Sequence, residues 1–200
     1  MPFFTEGYPP LTPLVHRARI SSFHRKSADY PAVPDRTGIE SDTGELYWSA
    51  DGANSLFQLS SGRSEAVVGF VGSKASRLKH LSVDLENEFA AVTLTSLDAA
   101  PISSSRNLLL VATAGAGMSG MKWTEGKTKS LDKGNRPVTI EVVEGTVTLS
   151  GLGKARSVTM TPLDGAGNPI RQVTRPVRKG KAVLVLGDDV TVWYTLKVAR

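Results

Sequence analysis

Gly115, Gly117 and Gly120 stand in the spacing G-x-G-x-x-G, directly after the apolar run of "RNLLLVATAG". After a strand, that spacing can cradle a pyrophosphate, provided that a helix begins there and offers its first unpaired N–H groups. The residues that follow, "MKWTEGKTKSLDKGNRP", carry Gly126, Gly134 and Pro137, which interrupt any helix, and no β-α-β frame surrounds them. A serine nucleophile at Ser119 fails on spacing, because Met121 stands where G-x-S-x-G requires glycine. We read the segment as a strand running into a glycine-rich loop, with no nucleotide or other cofactor.

Other groups that could do chemistry are few. His16, His24 and His80 form no H-x-H or H-E-x-x-H pair, so they read as surface or hydrogen-bonded histidines and not as metal ligands. Asp84, Glu86 and Glu88 share one face if their segment is extended. A glycosidase needs two carboxylates on opposite sides of a bond, about 5–10 Å apart. Clustering on one strand reads better as solvated edge charge, and no catalytic residue is assigned. A stand-alone hydrolase using Asp84, Glu86 or Glu88 with a histidine is the alternative from another class. A third reading is a structural or oligomerising β-domain without a ligand.

Basic residues gather at His16, Arg17 and Arg19, at His24, Arg25 and Lys26, and at Arg171, Arg175, Arg178, Lys179 and Lys181. The net charge of +5 permits an anionic partner. Aromatic interleaving and a fold signature for nucleic acid are missing, so none is expected. Lys and Arg are ordinary protection for an edge strand.

The tryptophans are more informative. In "DVTVWYTLKV" the alternation sets Val190, Val192, Tyr194 and Leu196 against Thr191, Trp193, Thr195 and Lys197. Trp193 is the odd residue on a polar face, and exposed planar aromatics offer apolar area for stacking on sugar rings. Trp123, in a Lys- and Gly-rich loop, and Tyr47 are further candidates. The alternative for Trp193 is cover by an N-terminal arm, whereas Trp48, in phase with Leu46, is expected in the core.

These residues need a framework, and the pattern supplies one. Residues 1–40 are broken by Pro9, Pro10, Pro13, Pro31 and Pro34 and read as a Pro-rich arm or linker, with "LVHRARISSF" a possible edge strand. From Glu45 the hydrophobic period becomes two, with turn signals every ~8–12 residues. "RNLLLVATAG" is apolar on both sides, as a central strand is. "RPVTIEVVEGTVTLSG" reads as a hairpin turning at Glu144-Gly145, and "SRLKHLSVDLENEF" as strand or a single turn. The expected fold is all-β, an antiparallel β-sandwich of jelly-roll or Ig-like kind over 41–200.

With no cysteine, disulfides and thiolate sites are excluded, and the compartment stays open. No apolar stretch approaches the ~20 residues of a membrane helix, so no membrane partner is expected, and the N-terminus lacks the basic and apolar regions of a signal peptide.

The segments "SDTGELYWS", "AVVGFVG" and "FAAVTLTSLDAAPISSSRNLLLVATAGAGMSGMKW" resemble the C-terminal β-rich accessory region of large bacterial glycoside hydrolases whose catalytic part is a (β/α)8 barrel. In that group a strand ending in "SLD", a following "S-x-x-L-L-L" strand and an "N-T-G-M" turn build the sandwich. Here the turn keeps its Gly and Met, while its Asn and Thr are replaced. The resemblance spans about Ser41 to Tyr194 and implies a non-catalytic carbohydrate-binding or accessory module. Its partners would be a polysaccharide or oligosaccharide and a catalytic glycoside hydrolase domain, with homo-oligomerisation open and a secreted or cell-envelope setting.

Overall fold

The computed structural model describes residues 11–17, 19, 37–72, 75–127 and 129–200. Its strands, in chain order, are β1 Gly38–Glu40, β2 Leu46–Ser49, β3 Leu56–Ser60, β4 Ser64–Phe70, β5 Ser76–Arg77 and β6 Leu81–Leu85. There follow β7 Phe89–Ser96, β8 Asn107–Thr113, β9 Ala116–Ser119, β10 Lys122–Trp123, β11 Ser130–Asp132 and β12 Asn135–Ile140. The last are β13 Gly145–Leu149, β14 Ser157–Leu163, β15 Val173–Pro176, β16 Ala182–Leu186 and β17 Trp193–Ala199.

Nine strands form one antiparallel sheet in the order β1-β2-β3-β4-β7-β8-β17-β14-β15, and four form a second in the order β16-β13-β6-β5. The result is an open all-β sandwich, not closed into a barrel. Two further pairs, β9 with β12 and β10 with β11, stand outside both sheets.

Period-two alternation explains the layers. Along β7, Ala90, Val92 and Leu94 are fully buried, and along β8 so are Leu108, Leu110 and Ala112. They meet Leu81, Val83 and Leu85 of β6, Val147 and Leu149 of β13, and Leu184 of β16 in one core. Each valine or leucine among them contributes about 1.5–3 kcal/mol by leaving water. Tyr194, Leu196 and Val198 bring β17 into the same core, as their alternation predicts.

Polar staples join the sheets toward the β3–β4 side. Glu65 occupies a core-facing position of β4 in register with Leu94, and has no exposure. Its carboxylate accepts the N–H of His80 at 2.9 Å and of Leu81 at 2.7 Å, and lies 2.9 Å from His80 Nδ1. Beside it, Gln58 donates from Nε2 to the Ser76 hydroxyl at 3.0 Å.

Between β7 and β8 the chain makes a compact loop around Asp98. Its Oδ2 accepts the N–H of Arg106 at 2.7 Å, and its Oδ1 accepts the Ser96 hydroxyl at 3.0 Å. Those bonds, the Arg106 N–H foremost, hold the carboxyl well below the ordinary value. Ile102 closes the loop as a fully buried plug whose N–H donates to Gly62 O.

Several expectations are corrected. "RPVTIEVVEGTVTLSG" is no hairpin: β12 pairs with β9, whereas β13 lies between β6 and β16. Asn87 fixes the departure, accepting the Glu144 N–H on Oδ1 and donating from Nδ2 to Val142 O. Gly145, at φ 129°, then lets the backbone press against Asp84 and Leu85, where a Cβ would collide. In "LVHRARISSF", Leu14 and Val15 belong to a helical turn, Thr12–Val15, favoured by Pro13 at its start, and not to an edge strand. Most of the remainder lies outside the described residues. Trp48 and Leu46 are half-buried on the outer face of the large sheet and not in the core between the sheets. The sheet begins at Gly38, inside the 1–40 segment.

Candidate functional site

The outer face of the nine-stranded sheet carries an unusual row. Leu46, Leu59, Ala66, Thr93, Val111, Trp193 and Leu163 lie in register across seven strands. A second row runs Ile39, Trp48, Phe57, Val68, Ala91 and Thr113. Among the outward positions of all nine strands, Lys197 is the only charged residue. At the end of β4, Phe70 and Phe89 extend this face with an edge-to-face pair, ring centroids 5.5 Å apart.

Trp193 is 42% exposed in this row, flanked in register by Val111 and Leu163. Its backbone is fixed by Thr191, whose hydroxyl accepts the Trp193 N–H at 3.1 Å and donates to Leu163 O. An indole held so, between aliphatic neighbours and with Thr195 two residues along, can present its ring to an apolar face of a ligand.

The other two candidates do not join it. Tyr47 is 41% exposed on the opposite face of the sheet, in register with Gln58. Five strand spacings separate its strand from β17, about 24 Å at ~4.8 Å per strand. Its ring lies over Gly38, where a Cβ would come 2.9 Å from the Tyr47 hydroxyl oxygen. Trp123, 44% exposed, sits in β10, a strand rather than a loop, and in a ribbon separate from the large sheet. The three aromatics therefore build no common platform.

The carboxylates are partly gathered. Asp84 is exposed and paired in register with Thr146, while Glu86 and Glu88 lie in the turn before β7. Glu86 and Glu88, but not Asp84, line an open cleft of about 490 Å³ with Asn87, Glu141, Val142 and Glu144. Glu141 and Glu144, distant in sequence, could not be placed there by spacing alone. His80 sits before β6 and Glu86 after it, about 20 Å apart at ~3.3 Å per residue. Its ring is engaged by Glu65, so no described histidine faces these carboxylates. His16 Nδ1 lies 3.4 Å from an Asp42 oxygen, and His24 falls outside the described residues. Among the described residues no cluster of three or more His, Asp or Glu could hold a metal ion.

Of the C-terminal basic cluster, Arg175 lies on β15, the edge strand of the large sheet. Arg171 pairs with Asp188 and Asp189 at 3.0 and 2.8 Å, and those bonds, led by Asp189, raise its pKa further. Gly115–Gly120 runs into β9, with no helix to receive a phosphate.

Comparison of the chain with protein-family models, curated proteins and solved structures found no match.

Proposed function

We propose that this chain is a non-catalytic accessory module of a glycoside hydrolase, one that takes polysaccharide weakly by stacking a sugar ring on Trp193. The observation that carries the reading is the half-exposed indole, held in register between Val111 and Leu163 on a face with a single charge. Such a surface favours the C–H face of a pyranose and offers little to a charged ligand. A module of this kind has a polysaccharide and a catalytic domain for partners, and a secreted or envelope setting follows from them.

Affinity electrophoresis against a panel of neutral polysaccharides tests it. Retardation on at least one glycan is expected, weakened in Trp193→Ala and unchanged in Tyr47→Ala. No retardation on any glycan would sink the binding role.

A second reading has its own support. The paired Phe70 and Phe89 rings and the half-buried Phe57 and Val68 make the part of the same face formed by β3, β4 and β7 suited to buttressing a protein domain. Absence of turnover on glycan substrates fits both readings, whereas turnover lost on substituting Glu86 or Glu88 would favour a hydrolase.

A further inference from the structure

From Ala114 to Glu141 the chain leaves the sandwich between β8 and β13, strands of opposite sheets. It folds into the two ribbons β9–β12 and β10–β11, and every residue of β12 is exposed. Met118, Leu131, Val138 and Ile140 are 39%, 66%, 62% and 46% exposed, uncovered by any described layer. A lone two-stranded ribbon is marginal in water, and its open edges are templates for pairing.

Its base is nevertheless firmly built. The Glu141 N–H donates to Gly115 O at 2.7 Å, and Glu141 Oε2 accepts the Gly115 N–H at 3.1 Å. Asn87 Nδ2 donates to Glu141 Oε1 at 2.8 Å. The ribbon is held out from the body by a fixed root.

Charge is separated along it. Between Met121 and Arg136 the chain has five basic and two acidic residues. At the root, Glu86, Glu88, Glu141 and Glu144 line one cleft with no basic residue among them. None of Glu86, Glu88, Glu144, Lys122, Lys129, Lys133 and Arg136 forms an ion pair among the described residues.

We infer that the ribbon clasps a second copy of this chain, the basic outer part of each ribbon lying on the acidic root of the other. A two-fold interface is self-complementary, so a contact between outer part and root occurs twice. Two ribbons laid antiparallel achieve this, and they bring Met118, Val138 and Ile140 of both copies between the charged ends. A polyanion would engage the basic part alone and leave Glu86, Glu88 and Glu144 unanswered. A second copy answers both, and this inference is independent of the carbohydrate reading.

The full chain is measured by sedimentation equilibrium at low salt, where a dimer is expected, and near 1 M salt, where the screening length is only ~3 Å and it should weaken. Lys129→Glu with Lys133→Glu, and separately Glu86→Lys with Glu88→Lys, should each raise the dissociation constant at least about tenfold, the weight of lost interfacial charge pairs. Mixing the two variants should restore a heterodimer, since both contacts become complementary again. Circular dichroism confirms that each variant is folded. As a second measurement, Lys133→Cys and Glu88→Cys chains, mixed and oxidised, should cross-link to each other in a protein with no cysteine of its own. A wild-type monomer at low salt overturns the inference. So does a dimer indifferent to either charge reversal, a mixture that stays monomeric, or a mixture without the cross-link.

Discussion

The carboxylate of Glu65, without solvent exposure on β4, lies 2.9 Å from Nδ1 of His80 in the turn before β6. It also accepts the main-chain N–H groups of His80 and Leu81, so one side chain serves three donors of the opposite sheet. Leu81, the first residue of β6, is fully buried. The staple therefore sets where β6 begins.

Removing the carboxylate strands those donors in a dry interior. Glu65→Ala is expected to cost about 3 kcal/mol or more, because each buried donor left without its acceptor costs about 1–3 kcal/mol. Urea unfolding checks it. Glu65→Gln, which keeps an acceptor and the shape, should cost less, and a Glu65→Ala loss under about 1 kcal/mol would mean that water has reached the pair.

Asp98 acts at the β7–β8 loop, where its depressed pKa makes stability depend on acid. Below the ordinary carboxylate value of 3.8 the unfolded chain takes up a proton, while folded Asp98 stays ionised. Its stabilisation is thus complete above that value and is lost as the pH falls toward the depressed one. Asp98→Asn should lower the Tm at neutral pH and flatten its decline below pH 3.8. Asp164, also depressed and bonded chiefly to Asn168, accounts for part of the slope that remains. A variant whose acid limb is as steep as that of the parent would refute this role.

Much of the sandwich is legible in the sequence, because burial enforces a period of two. Ala90, Val92 and Leu94, or Tyr194, Leu196 and Val198, reveal their face without help. The partners of a strand are less legible. Val138 and Val147 look like the two arms of one hairpin, but Asn87, about fifty residues earlier, diverts the chain between them. Period two does place Glu65 in phase with Val67, yet only the fold reveals that His80 waits opposite. For the site, alternation turns Trp193 outward with Thr195 and Lys197 of its own strand, whereas the aliphatic row around it comes from five other strands. Tyr47 and Trp123 are exposed as expected, but separating them from Trp193 required the sheet order.

Tyr194 provides an alkaline counterpart to Asp98. Burial, reinforced by the charge of Asp189, pushes its phenol up from 10 to about 12. The unfolded chain releases this proton from about pH 10, while the folded chain keeps it, so stability is whole below pH 10 and drains as the pH rises toward 12. Phenolate absorbance should rise in two stages, the later one coinciding with loss of the β-sheet circular dichroism signal. In Tyr194→Phe the alkaline transition should move to higher pH, and an unmoved transition would assign it to another group.

Trp193 and Tyr194 are chain neighbours on opposite faces, one 42% and the other 1% exposed. If the outer face is free for a ligand, the two should respond oppositely to truncation. Tyr194→Ala opens a cavity among Leu110, Leu196 and their neighbours and should cost about 3–5 kcal/mol. Trp193→Ala removes a ring already half in water and should cost about 1 kcal/mol, since part of its transfer gain was never realised. Paired urea titrations measure both, and equal losses would mean that another part of the molecule covers Trp193. The small cost expected at Trp193 is also what separates binding from folding, for a folded Trp193→Ala chain that no longer slows on a glycan gel has lost its contact surface and little else.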